Sequence, residues 1–141
     1  MQRKLAGALL VALALGAVAC GSASKPLTAA QLRMKANVVC RDMSRRVQAL
    51  AKASTQATLR ASFGRAADVM DDDLGRLRAL VPPKQLAGRY ASFIAWEGSR
   101  RDAARALSQG KRLNARMRLA VHDHLSPVIP LSRQLGIPSC R

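Results

Sequence analysis

The chain has 141 residues, a length that suits one ordinary domain and falls short of two. Hydrophobic residues make up 49% and aromatic residues 3%, with Ala and Leu predominant and no useful run of alternating strand pattern, so the composition favours helices and not sheets. The formal net charge of +16 favours long-range attraction to polyanions or to an anionic bilayer surface, although charge alone identifies no partner.

Residues 1–19 have the pattern of a signal peptide. Arg3 and Lys4 precede fifteen uncharged residues, Leu5 to Ala19. As a helix these would rise roughly 22 Å, short of the ~30 Å hydrocarbon core of a bilayer. Removal of this segment leaves 22 basic against 8 acidic residues, a net charge of +14.

The sequence from Ala17 to Cys20 resembles the lipobox of bacterial lipoproteins, in which small residues precede a Cys that receives diacylglycerol. We therefore expect lipidation at Cys20, with residues 20–27 forming the lipidated Cys and a short tether, and residues 28–141 a helical domain. If Cys20 carries lipid, Cys40 and Cys140 remain as one pair in an oxidising compartment. The alternative is a cleaved secreted protein whose Cys20 is free or paired with another molecule.

Apolar residues at helical spacing predict four helices in the domain. Thr28 to Gln31 has the form of a capping box and begins the first helix, which runs to about Lys52. The second ends at Pro82 and Pro83, and the third closes near Gly110. Pro127 and Pro130 predict a kink or break of the fourth near Ser126.

Short connections between these helices predict an all-α fold, an up-down-up-down four-helix bundle whose last helix is kinked or broken by prolines. Residues 135–141 would then cross the base of the first helix, within reach of Cys40. Such a disulfide would close a loop of ~100 residues and stabilise the fold by up to ~4.7 kcal/mol.

Several features together resemble a group of small, mostly uncharacterised lipoproteins of high-GC Gram-positive bacteria. They are the signal with its lipid Cys, Cys40 in the first helix, a central Leu80-Val81-Pro82-Pro83 turn, Tyr90 shortly after it, and an ending Leu135-Gly136-Ile137-Pro138-Ser139-Cys140. The resemblance implies the helical fold and a Cys40–Cys140 disulfide. It supplies no catalytic residues.

Two possible sites involve the few His and acidic residues. His124 and Glu97 lie on the apolar stripes of the fourth and third helices, so with Tyr90 they form a candidate interhelical pocket for a small molecule or metal. The alternative is an ordinary buried His, with Glu97 paired to Arg100 or Arg101. Asp71 to Asp73 fan out around a helix, so they predict no calcium site; we expect surface pairs of Asp72 with Arg76 and of Asp68 with Arg65.

The densest basic stretch crosses the turn between the third and fourth helices. It is either a solvated face or a site for an anionic partner, and a coding bias toward Arg would explain its charge without any role in binding. Trp96 is expected to turn partly outward beneath Arg100 as a cation-π pair. The residues of this stretch are Arg100, Arg101, Arg105, Lys111, Arg112, Arg116 and Arg118.

The sequence favours a non-enzymatic protein, because it contains no nucleophile elbow and no glycine-rich phosphate loop. The leading hypothesis is a lipoprotein held on the extracytoplasmic face of the cell membrane. Its basic helical surface would contact anionic lipid, an envelope polymer or an acidic protein, and we expect no cofactor and no nucleic acid. The alternatives are a small-molecule or metal-sensing helical bundle and a purely structural spacer.

Overall fold

The computed structural model describes residues 25–52, 54–55, 57–122 and 124–140. The predicted signal peptide and Cys20 lie outside these residues. The described chain is all-helical, as predicted, but it contains five helices, and the four-helix bundle is not confirmed. None of these helices combines the length and apolar character needed to cross a membrane. The helices are α1 (Ala29–Lys52), α2 (Leu59–Arg78), α3 (Lys84–Ser108), α4 (Ala115–Ala120) and α5 (Val128–Leu135).

The first helix begins where its capping box predicts. The backbone N–H of Gln31 donates to Thr28 Oγ1 at 3.2 Å, and the backbone N–H of Thr28 donates to Gln31 Oε1 at 2.9 Å. These two bonds satisfy donors that have no partner inside the helix. The stripe at three- and four-residue spacing faces the interior, and its buried members are Leu32, Ala36, Val39, Cys40 and Met43.

Helices α2 and α3 pack along each other on either side of the Pro82-Pro83 turn. The hydroxyl of Tyr90 on α3 donates to the carbonyl of Leu77 on α2 at 2.9 Å, so a buried polar group is satisfied across the pair. At the end of α3, Gly110 adopts a positive φ of 67°, and the N–H of Lys111 reaches back to the Ala106 carbonyl at 2.9 Å. This closing turn confirms the predicted end of α3.

The predicted break near Ser126 is confirmed, because α4 and α5 are separate helices. The Ser126 hydroxyl donates to the carbonyl of Ala120, the last residue of α4, at 2.9 Å. Pro127 directly precedes α5, and Pro130 lies in its first turn, where a backbone N–H would have no acceptor within the helix. The prolines are therefore compatible with α5 and incompatible with one continuous helix.

The residues after α5 are fastened to α1 by covalent and polar contacts. Cys140 forms a disulfide with Cys40, which confirms the predicted pair. Asn37 donates from Nδ2 to the Gly136 carbonyl at 3.3 Å and accepts at Oδ1 from the N–H of Ser139 at 3.1 Å. We call residues 136–140 the C-terminal clamp. Ile137 in the clamp is buried, as are Leu32, Phe93 and Leu135 in the adjoining core.

Loss of the disulfide is expected to destabilise the protein substantially. The bond joins residues 100 positions apart, and removal of a native disulfide from a small domain costs about 2–5 kcal/mol. The double variant Cys40→Ala/Cys140→Ala should therefore unfold at a clearly lower urea concentration than the oxidised wild type. A reductant should lower the midpoint of the wild type and leave that of the double variant unchanged. Equal midpoints for oxidised and reduced wild type would contradict the expectation.

Candidate functional site

A largely apolar cavity of about 490 Å³ lies between α1, α2, α3 and the segment that joins α4 to α5. We call it the interhelical cavity. Its volume is typical of small-molecule sites, which measure roughly 300–1,000 Å³. Its larger apolar lining residues include Val47, Leu50, Phe63, Met70, Val128 and Ile129.

The cavity exists because small side chains meet a helix break. Ala66 on α2, Ala104 on α3 and Ala120 at the end of α4 all line it, and an alanine methyl fills little of the space between helices. The separation of α4 from α5 also removes the continuous helix that would otherwise cover this side. The sequence predicts an interhelical pocket but not this lining, for which the alanines on the apolar stripes beside a proline break were the available signal.

The polar groups of the cavity are few and most already have partners. Ser126 donates to a backbone carbonyl, as described above, and Ser54 donates to the carbonyl of Leu50 at 2.7 Å. The hydroxyl of Ser62 accepts from Arg65 Nη2 at 3.0 Å. Arg100 is the one Arg or Lys among the described lining residues, and none of them is a carboxylate.

Arg100 is held in place by a buried carboxylate behind it. Its Nη1 donates to Glu97 Oε1 at 3.1 Å and to Oε2 at 3.3 Å, which confirms the expectation that Glu97 pairs with an Arg one turn on. Glu97 is only 2% exposed. Burial raises the pKa of Glu97, and the Arg100 guanidinium opposes this rise.

The structure places the three residues of the predicted pocket in different surroundings. Tyr90 and Glu97 are buried, whereas His124 is exposed, so the expectation that His124 faces inward is wrong. Tyr90 lines a separate groove beside α3, and the interhelical cavity is lined by His122 instead. The chain leaves helical geometry after Ala120, and the stripe therefore loses its register before residue 124.

Metal ligands do not converge in the part of the chain that is described. No group of three or more His, Cys, Asp or Glu side chains in these residues is arranged to hold a metal ion. His122 Nδ1 faces backbone N–H groups of the same turn, from His124 at 3.4 Å and Leu125 at 3.3 Å.

Most of the described acidic residues join helices to one another, and the predicted pairs along α2 are wrong. Asp72 pairs with Arg46 of α1 at 2.9 Å, and Asp68 pairs with Arg105 of α3 at 2.8 Å. Helical spacing indicates which residues share a face, but it does not indicate which face of a neighbouring helix lies opposite. Every described Asp and Glu has an Arg partner.

These pairs divide the predicted basic surface into two parts. Arg101 and Arg105 bind Asp71, and Arg105 also binds Asp68, so they neutralise acids of α2, as Arg100 does for Glu97. Lys111, Arg112 and Arg118 are exposed and have no carboxylate partner among the described residues. Arg60 of α2 lies beside Gly110 in the same region. We call Arg60, Lys111, Arg112 and Arg118 the distal basic cluster.

Trp96 is covered by a different Arg from the one predicted. The guanidinium of Arg116, and not that of Arg100, lies 4.3 Å from the Trp96 ring centroid. Arg116 Nε also donates to the Ser99 hydroxyl at 2.7 Å, so it fastens α4 to α3. Arg116 therefore contributes to packing between helices, and it is less available to a partner than its sequence position suggested.

Comparison with known proteins assigns no family, because no family model, no curated protein and no solved structure matches the chain. Function is therefore inferred from the residues and geometry of this chain.

The buried Glu97 carboxyl gives the stability a defined pH dependence. Its pKa lies above the ordinary value of 4.5 in the folded protein, so the folded protein keeps this carboxyl protonated at pH values at which the unfolded chain ionises it. Relative to Glu97→Gln, the free energy of unfolding of the wild type should fall as pH rises above about 4.5, by at most about 1.4 kcal/mol per pH unit, until the raised pKa is passed. Urea titrations of both proteins across this range measure the difference. A free energy of unfolding of the wild type that rises with pH relative to that of Glu97→Gln would contradict the raised pKa.

Proposed function

We propose that the protein is a lipid-anchored, extracytoplasmic binding protein without enzymatic activity, whose distal basic cluster contacts an anionic envelope polymer. The observation that carries the proposal is the distribution of charge. The described carboxylates are all paired with Arg, whereas the distal basic cluster combines exposed cations that have no such partner. Export by the signal peptide, lipid on Cys20 and the resemblance to small lipoproteins belong to the same proposal.

The position of the anchor relative to the cluster favours a polymer over lipid headgroups. The N–H of Leu27 donates to the Val81 carbonyl at 2.9 Å, so the chain enters the domain beside the start of α3. From there the 25 residues of α3 rise roughly 37 Å to the turn that carries Lys111 and Arg112. This exceeds the screening length of ~8 Å severalfold, so a cluster pointing away from the anchor acts beyond the headgroups.

The same proposal treats α4 and α5 as two halves of a fourth helical segment in an up-down-up-down bundle. Packing of α3 against α2, α4 and α5 supports this arrangement. It directs the α1–α2 and α3–α4 connections to the end opposite the tether. Arg60 and Lys111, which belong to these two regions, would then present their charges together.

A non-enzymatic role is supported by the partners of the cavity hydroxyls. Ser54 and Ser126 donate to backbone carbonyls, and Ser62 accepts from a guanidinium. None of these contacts would activate a nucleophile, which needs an adjacent general base. Cys40 and Cys140 form a disulfide and therefore present no thiolate.

A second candidate function is the binding of a small molecule in the interhelical cavity. The volume of about 490 Å³ and the apolar lining favour it. The binding residues would be those of this cavity and not the predicted set of Tyr90, Glu97 and His124. Both functions are compatible with one protein, because the distal basic cluster and the cavity use different residues.

The anchor is tested by replacing its Cys. Cys20→Ala should move the protein from the membrane to the soluble fraction, and intact-mass measurement of the wild type should show acyl chains on a chain that begins at residue 20. The matched control is Cys40→Ala/Cys140→Ala, which removes two other Cys residues and should stay on the membrane. A mature N-terminus downstream of residue 20 would contradict the anchor.

The distal basic cluster is tested with two triple variants that each lose three positive charges and therefore have the same net charge. Lys111→Gln/Arg112→Gln/Arg118→Gln should weaken binding to polyphosphate at least tenfold at low salt, because the attraction is electrostatic, and added salt should weaken wild-type binding. Titration calorimetry measures both effects.

The control removes three exposed charges elsewhere, by Lys84→Gln/Arg89→Gln/Arg133→Gln, and should bind nearly as the wild type does. Equal loss in both triple variants would show that net charge and not the cluster attracts the polymer, and would refute the proposal. Preference for anionic vesicles over polyphosphate would refute the choice of a polymer.

A further inference from the structure

We infer that the interhelical cavity binds a fatty-acid-like amphiphile, with one aliphatic tail inside the cavity and an anionic head group at Arg100. This inference rests on the second candidate function above and adds the chemical class of the ligand.

The interior of the cavity favours an aliphatic tail. About 490 Å³ holds on the order of ten water molecules, and each needs two to four polar partners to be well placed. The lining offers mainly side chains such as Val47, Phe63 and Met70, and its Ser hydroxyls already have partners. Water in this space is therefore poorly bonded, and its displacement by an apolar group is favourable.

Apart from His122, the exposed residues of the cavity lining are apolar, which suits entry of a tail. Leu59, at the start of α2, is 38% exposed, and Val121, just after α4, is 43% exposed. Both line the cavity, and they belong to the two regions where the helices are interrupted. Leu125 in the same α4–α5 connection is 64% exposed. Exposed large apolar residues grouped at a cavity are typical of a ligand entrance.

The charge of the described lining favours an anionic head group over a cationic one. Arg100 lines the cavity, its side chain remains 27% exposed, and no carboxylate among the described residues lines the cavity beside it. The hydrogen bonds of Arg100 to Glu97 both use Nη1, and no other described residue accepts from its Nε or Nη2, so these two atoms are available to a carboxylate or phosphate oxygen. Glu97 thus acts as a positioning residue for the guanidinium.

The test uses the mature chain, residues 20–141, with Cys20→Ser and without acylation. Titration calorimetry compares dodecanoate, dodecanol and dodecylamine, which share one tail and differ in head group. We expect one dodecanoate per chain, bound at least tenfold more tightly than dodecylamine. The variant Glu97→Gln/Arg100→Gln removes both partners of the buried pair together, and it should lose the preference for dodecanoate over dodecanol.

Filling the cavity tests where the tail lies. Ala66→Leu and Ala104→Leu place extra methyl groups in the cavity and should each weaken dodecanoate binding at least tenfold without lowering the thermal midpoint. The matched control is Ala61→Leu, an exposed position on α2 outside the cavity lining, which should leave binding unchanged.

The possible failures separate the ligand class from the site. Equal binding of all three amphiphiles, abolished by the filling variants, overturns the anionic head group and leaves the cavity as a binding site. Dodecanoate binding that the filling variants do not affect overturns the location. Absence of binding by every amphiphile overturns this inference, whereas the second candidate function is overturned only if the purified protein also retains no small molecule in native mass spectrometry. Should one filling variant fail to fold, the other variant and the comparison of head groups on the unfilled chain still decide.

Discussion

The fold depends on the attachment of the C-terminal clamp to α1. Few aromatic side chains are available to fill the interior, and the largest buried residues gather around the clamp, where Phe93 and Leu135 meet α1. The disulfide makes this attachment covalent, and Asn37 bonds the clamp through both ends of its amide. Gly136 allows the clamp to turn toward α1, because its φ of 72° suits glycine and an added Cβ would lie 2.7 Å from Arg33 Nε.

Ion pairs between helices determine which positive charges remain on the surface. Arg46 of α1 pairs with the fully buried Asp73 of α2. Arg76 of α2 pairs both with Asp73 and with Asp42 of α1, so these pairs join α1 to α2. Arg101 and Arg105 join α2 to α3. An unpaired Asp73 charge in that position would be costly, so these guanidiniums are tied to packing. The positively charged side chains in excess of the acidic ones therefore lie away from these contacts, for example at the turn between α3 and α4.

The sequence predicted local structure well and relations between helices poorly. The cap at Thr28 and the break near Ser126 follow from backbone chemistry within a few residues, and both are confirmed, whereas α2 ends at Arg78, before the predicted stop at Pro82. The partner of Arg105 and the Arg over Trp96 depend on the rotation of one helix against another, which no periodic pattern encodes. His124 was misplaced because its stripe assumed that helical geometry continues through the break. An interhelical pocket was predicted with the wrong lining, because the lining depends on the volume left between four chain segments.

The cavity and the clamp occupy different parts of the molecule, and their energetics explain why. At roughly 24 cal/mol per Å³, a closed and empty cavity of 490 Å³ would cost about 12 kcal/mol, as much as the whole stability of a typical domain at about 5–15 kcal/mol. The exposed lining residues Leu59 and Val121 indicate that the cavity is open to solvent, which avoids most of this cost because water or a ligand fills the space. The disulfide and the buried core stabilise the region around Cys40, so the ends of α1 and α4 can remain less tightly packed. A protein with a small core therefore tolerates such a cavity only in a part of the molecule that the C-terminal clamp does not hold together.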